Sequence, residues 1–190
     1  VNGDGRYGVA LLLIVALLLG LAAWGLAGQQ LLQYQREAIA AGQCWRLFTA
    51  HWAHLGMRHA LLNVAGLCLL WAMLARHYRP LPWLMIVLIS MAAIDLGLLL
   101  LQPLIQWYVG ASGVLHGVWA AGGIAEWRRR EWRSWMLLAV LVLKLCYEHW
   151  SGSSAVMPGM PVVLSAHVYG AIGGSLAAIG IMLMLPKIQR

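Results

Sequence analysis

Apolar positions gather into six long stretches separated by short polar breaks, at about 8–27, 59–76, 82–101, 112–126, 135–150 and 165–185. A helix needs roughly 20 apolar residues to cross about 30 Å of hydrocarbon, so each stretch reads as a membrane span. The pattern predicts an all-α, polytopic membrane protein with six transmembrane helices. It predicts one membrane domain over residues 1–190, with no room for a second, soluble one. The first stretch has the look of a signal peptide, but more spans follow it, and it reads as a retained anchor. Segment 28–58 breaks the pattern. "CWRLFTAHWAHLGMRH" mixes Trp, Phe, Leu and His without spanning length. It predicts a partly embedded, interfacial structure, since non-helical backbone at that depth must be covered by protein or line a wet cavity.

Composition sharpens this picture. The 190 residues are 62% hydrophobic and only 10% charged, with a mean hydropathy of +0.76. Soluble domains carry about 25% charged residues, so this chain cannot clothe a water-facing surface. The lipid bilayer is therefore its first partner. The net charge of +7 lies in particular loops, which points to topology control and away from nucleic acid. Arg6, Arg76, Arg79, Arg128, Arg129, Arg130, Arg133, Lys187 and Arg190 share one side of a six-span chain. The positive-inside bias puts that side, and both termini, in the cytoplasm. Arg36, Arg46 and Arg58 fall on the other side and oppose the trend. The Trp-rich "EWRRREWRSW" reads as a topology signal and surface anchor. "SGSSAVMPGMP", in the external loop 151–164, has the composition of a mobile cap. Cys44, Cys68 and Cys146 form no pair motif and read as small apolar fillers. His77 and His149 read as interfacial. Asp95 falls inside the third span, facing the interior of the bundle.

Three polar groups of residues enter the external half of the membrane. Ser112 opens span four in "GASG", His167 opens span six in "SAHVYGAIGG", and "HLGMRHALLN" carries His54, His59 and Asn63 into span two. Their common level makes them one candidate site. A serine hydroxyl becomes a nucleophile when a base takes its proton, and a neutral imidazole can do so. Attack on an amide creates an oxyanion that needs placed donors. His59, Asn63 and the Ser112 backbone N–H are candidates, the last because the first turn of a helix has unpaired donors. His59 and Asn63, four apart, share one helix face. No metal or other cofactor is needed. No acidic residue has an obvious place as a third member, Glu148 included, so a Ser–His dyad oriented by packing is expected. Gly113 and Gly117 on span four, and Gly170 and Gly174 on span six, form small-xxx-small pairs that let helices approach closely.

The blander readings make Ser112 a helix N-cap and His167 a packed polar residue or pore liner. His116 either packs beneath His167 or is itself the base, since side chains four apart on a helix lean together. His51, His54 and His59 could line a metal or proton transporter, but the spacing is not that of HExxH and no carboxylate accompanies it.

"WR" at 45–46, "HLGMRHALLN" at 54–63, "GASG" at 110–113 and "AHVYGAIGG" at 166–174 together resemble the rhomboid intramembrane serine proteases. The resemblance covers most of the chain. It implies a six-helix bundle with a cavity open to the outside, Ser112 as nucleophile, His167 as base and His59 and Asn63 at the oxyanion. His54 would help hold the first outer loop. Many rhomboids carry an aromatic residue four after the serine, where this chain has His116. "GASGVLHG" resembles the rhombosortase branch. That implies, as partners, exported membrane substrates with a single or C-terminal transmembrane helix, a Gly-rich motif and a basic tail. It also implies residence in a cell inner membrane with the site facing the periplasm, and hydrolysis or transfer to another nucleophile after acylation. A catalytically inactive, rhomboid-like chaperone that binds membrane helices is the runner-up.

Overall fold

A computed structural model describes residues 5–128, 132–154 and 162–184. Asp4, Arg129, Arg130, Glu131, Lys187, Arg190 and the part of the predicted cap at 155–161 lie outside the described residues. The chain divides into two compact units, Val1–Ala75 with Leu104–Ala111, and Arg76–Pro103 with Ser112–Arg190.

In the first unit, α1 (Gly5–Ala23) and α2 (Gly25–Leu32) meet at an angle of 108°. The expected single span over 8–27 is thus broken. Gly25 supplies the reason: its φ of 72° is a left-handed conformation that glycine adopts without steric cost and that ends the helix before it. Helix α1 packs on α5 (Met57–Leu74), where Tyr7 meets Trp71 edge-on at 6.4 Å.

The segment expected to be interfacial holds short elements tied by polar contacts. They are β1 (Tyr34–Gln35), α3 (Arg36–Ala40) and α4 (Arg46–Thr49). Strand β1 pairs antiparallel with β2 (Trp107–Tyr108), Tyr34 opposite Tyr108, a small sheet that the all-α expectation did not contain. Arg46 is buried and acts as a staple. Its Nη1 donates to the Gln30 and Gln33 carbonyls, 2.9 Å each, and its Nε to Gln43 Oε1 at 2.7 Å. Thr49 Oγ1 donates to the Leu32 carbonyl at 2.8 Å. Arg36 donates through its backbone to Gln106 O (2.9 Å) and through Nε to Ile105 O (3.3 Å). Arg36 and Arg46 therefore satisfy backbone carbonyls within the unit, which explains why they run against the charge bias of the loops.

His54 lies in the connection between α4 and α5 and is 3% exposed. Burial, and then the neighbouring His59, lower its pKa to about 4, against an opposing contribution from the Trp52 backbone.

The second unit contains α6 (Pro80–Leu101), α7 (Ser112–Arg128), α8 (Trp132–Ser151) and α9 (Leu164–Met184). Prolines in the first turn of α6 suit a position whose N–H has no helical partner. Helix α9 lies against both α6 and α7, and α8 packs mainly on α7. The α7–α9 contact is backbone on backbone. A Cβ on Gly170 would fall on the Gly113 carbonyl, and one on Gly174 on the Gly117 carbonyl. A Cβ on Gly113 would stand 2.8 Å from the Ala166 carbonyl. The small-residue pairs read in the sequence are thus the contact itself. Beyond it, Tyr78, Ile86, Ala121, Ala178 and Ile181 form an apolar cluster, and Tyr78 OH donates to the Ala121 carbonyl at 3.1 Å. The side chain of His77, expected to be interfacial, is largely covered and paired with Glu126.

Leu100, Leu143, Leu176 and Leu183 are more than half exposed, as on a surface made for hydrocarbon. Among the described residues, three helices, α5, α6 and α9, are long and apolar enough to span a membrane, or four if α1 and α2 count as one bent span. Helix α7 has 17 residues, and α8 carries Arg133, Lys144 and Glu148, so neither adds to that number on length and composition. Two cysteines depart from the filler reading: Cys44 and Cys146 are exposed.

Gly170→Ala is expected to lower stability by about 1–3 kcal/mol, because the new methyl group has a carbonyl in its place. Gly180→Ala, where nothing lies within 4 Å, is the internal control and should leave the melting temperature in detergent nearly unchanged. A second expectation concerns pH. His54 is held neutral in the fold and titrates near 6.5 when unfolded, so the unfolded chain binds more protons between those two pKa values. Stability should therefore fall as pH drops from about 6.5 to about 4, with no His54 contribution to the slope above that window. Melting curves of His54→Gln across the window should show a shallower slope.

Candidate active site

Ser112 is the first residue of α7, following Gly110, whose φ of 132° turns the chain into the helix. His167 is in the first turn of α9. With the Gly113–Gly170 contact bringing those two helix starts together, Ser112 Oγ lies 2.8 Å from His167 Nε2.

The other ring nitrogen of His167 has a carboxylate. Nδ1 is 2.8 Å from Glu148 Oε2, and both residues are buried. A carboxylate accepts, so Nδ1 carries the hydrogen of a neutral ring. That leaves the Nε2 lone pair facing the serine hydroxyl. The second Glu148 oxygen, Oε1, accepts from Lys144 Nζ at 2.6 Å, an i,i+4 pair on α8. The expectation of a base oriented by packing alone is corrected here. Four residues run in series, Lys144–Glu148–His167–Ser112, across α8, α9 and α7.

The carboxylate escaped the sequence reading although a signal for it existed. Lys144 and Glu148 are ionisable residues four apart in an apolar stretch, a spacing that lets them neutralise each other. Glu148 also falls near the end of its apolar stretch that the positive-inside pattern predicts to be level with Ser112 and His167. What the sequence does not show is which face of α8 meets α9.

His116 stacks on His167 with ring centroids 4.2 Å apart and planes 13° from parallel. Its Nδ1 is 2.6 Å from the Ser112 carbonyl oxygen, to which it donates. Of the two roles open for His116, packing against His167 is the one its geometry matches. Its Nδ1 is committed to the backbone of Ser112, and the Ser112 hydroxyl is on the other imidazole.

His116, Glu148 and His167 place three ligand-type atoms within 4.8 Å of one another. A metal ion is bound along the in-plane lone pair of an imidazole. Two stacked, nearly parallel rings cannot both aim at one ion, so this trio fits a metal only if a ring leaves the stack. His51, His54 and His59 do not converge either. His51 meets Tyr108 edge-on at 5.7 Å, whereas His54 meets His59 at 5.0 Å.

In the first unit, His59 and Asn63 lie on one face of α5, both buried. Leu55 N–H donates to His59 Nδ1 at 3.3 Å, so a neutral His59 carries its hydrogen on Nε2 and is a donor there. Asn63 Nδ2 donates one hydrogen to the His59 carbonyl at 3.0 Å, and its amide has a second. Gly56, with φ 128°, makes the turn that lets Leu55 reach back to His59. The His54 ring stands edge-on against His59.

No curated protein and no solved structure matches this chain. The family model described as "Rhomboid domain" matches residues 41–184, a span that holds every residue of the site described above. With three-quarters of its length in that match, the chain belongs to the rhomboid family, whose members are intramembrane serine proteases with inactive forms among them.

Proposed function

We propose that this protein is an active intramembrane serine endopeptidase of the rhombosortase type, and that its 190 residues act as one membrane domain. The observation that carries the proposal is the 2.8 Å approach of Ser112 Oγ to His167 Nε2. It is a nucleophile–base contact of hydrogen-bonding length between a part-buried hydroxyl and a buried imidazole, which an inactive helix-binding relative would have no need to keep.

The chemistry runs as follows. A substrate helix in lipid has its backbone hydrogen bonds satisfied, so it must unwind locally before attack, which glycine favours. Ser112 Oγ bonds to the scissile carbonyl carbon as its proton passes to His167 Nε2. The carbonyl oxygen becomes an oxyanion for which the Ser112 N–H is one donor, and the resemblance to rhomboid proteases gives the same role to His59 Nε2–H and the Asn63 amide. His167 then gives its proton to the leaving nitrogen as the C–N bond breaks. Water, deprotonated by His167, attacks the acyl carbon and releases Ser112 with its hydrogen restored; another nucleophile in place of water would give transfer instead. His116 supports the base by stacking.

The substrate class is exported proteins with a Gly-rich motif ahead of a C-terminal transmembrane helix and a basic tail. The six apolar stretches would span a cell inner membrane with both termini in the cytoplasm and cleavage near the periplasmic face. A span by α8 is compatible with its charge, because the Lys144–Glu148 pair neutralises itself and Glu148 is buried against protein.

The purified protein in detergent should react with a fluorophosphonate probe. Ser112→Ala should abolish the label, and His167→Ala should slow it by about a thousandfold or more. His51→Ala should keep it. Co-expression with a Gly-rich C-terminal tail should give a shortened product by mass spectrometry with the wild type and none with Ser112→Ala. Labelling that survives Ser112→Ala would refute the proposal.

A further inference from the structure

Lys144, partly buried, and Glu148, buried, form an ion pair on a helix that carries neither the nucleophile nor the base. Its only polar contact with them is at His167 Nδ1. The two carboxylate oxygens are not equivalent. Oε1 is held by Lys144 Nζ, a group that can only donate, and Oε2 faces the imidazole.

We propose that Lys144 and Glu148 are a positioning pair for the base. Glu148 fixes His167 in the Nδ1–H tautomer, and Lys144 fixes which end of the Glu148 side chain that imidazole meets. The inference rests on the reading of Ser112 and His167 as nucleophile and base.

The atoms dictate an unusual outcome for Glu148→Gln. The amide matches the carboxylate in shape but has one accepting and one donating end. Lys144 accepts nothing, so it takes the amide oxygen. The NH2 group is then turned toward His167, where it donates to Nδ1. The ring hydrogen must move to Nε2, which now presents N–H to the serine hydroxyl and cannot take its proton. Removing the ammonium as well releases the amide. In Lys144→Met/Glu148→Gln the amide can turn its oxygen to Nδ1 and restore the productive tautomer. A residue that merely packed would show no such reversal, because the double variant is the more heavily altered protein.

The test is the second-order rate of fluorophosphonate labelling in detergent, with melting temperature as the control for folding. Glu148→Gln should label at least about a hundredfold more slowly than wild type. The double variant should recover at least about tenfold of that loss, and Lys144→Met alone should remain within about tenfold of wild type. Wild-type labelling by a folded Glu148→Gln would overturn the inference, as would a double variant no faster than Glu148→Gln. If Glu148→Gln does not fold, 15N NMR of the wild-type imidazoles, assigned through His167→Gln, decides. A neutral His167 carrying its hydrogen on Nδ1 supports the pair, and one carrying it on Nε2 overturns it. Retention of the label by Ser112→Ala would instead sink the protease reading, so the two failures are distinct.

Discussion

Helix α9 can bring an imidazole to the start of α7 because two of its residues have no side chain. The carbonyls of Gly113 and Gly117 occupy the space where Gly170 and Gly174 would carry a Cβ. In lipid there is little hydrophobic gain from pressing helices together, and such contact depends on close packing and polar pairing. The glycine seam supplies the closeness. It also fixes the axial register of α9 on α7, and with it the place of His167. One turn up or down would move that ring by about 5 Å and leave Ser112 beside an apolar side chain.

Once the backbones meet, polarity has to be settled locally. The polar groups are linked in series: ammonium to carboxylate, carboxylate to imidazole, imidazole to hydroxyl. The stacked His116 is directed to a main-chain oxygen. An unpaired buried charge would cost several kcal/mol, whereas in an ion pair extended by hydrogen bonds the attraction offsets much of that cost. The same assignments determine where each hydrogen lies, so the arrangement that the low dielectric tolerates is also the one that leaves a basic nitrogen toward the serine.

Much of this was legible in the chain. Ser112, His167 and the four glycines are marked by motif and spacing, and the apolar runs locate α5 to α9 to within a few residues. What periodicity could not supply was orientation. Glu148 was visible as an acid at the right depth, but the rotation of α8 that turns it toward His167 is a tertiary property. The bend between α1 and α2 was hidden for a different reason. Gly25 sits in an apolar stretch that hydropathy reads as continuous, and only its left-handed backbone breaks it. The β1–β2 pair was beyond reach because two-residue strands, 72 positions apart at Gln35 and Trp107, leave no pattern. Arg36 and Arg46 were misleading as charges, since their work is to satisfy carbonyls.

The wide sequence separation of the site also sets an order of events during synthesis. Ser112 precedes His167 by 55 residues, and Glu148 precedes it by 19. At about 5–20 residues per second, a ribosome needs several seconds to pass from the serine to the imidazole. For that interval Ser112 is without the imidazole that its hydroxyl faces in the folded protein. The contact between Ser112 and His167 therefore forms only when α9 docks on α7.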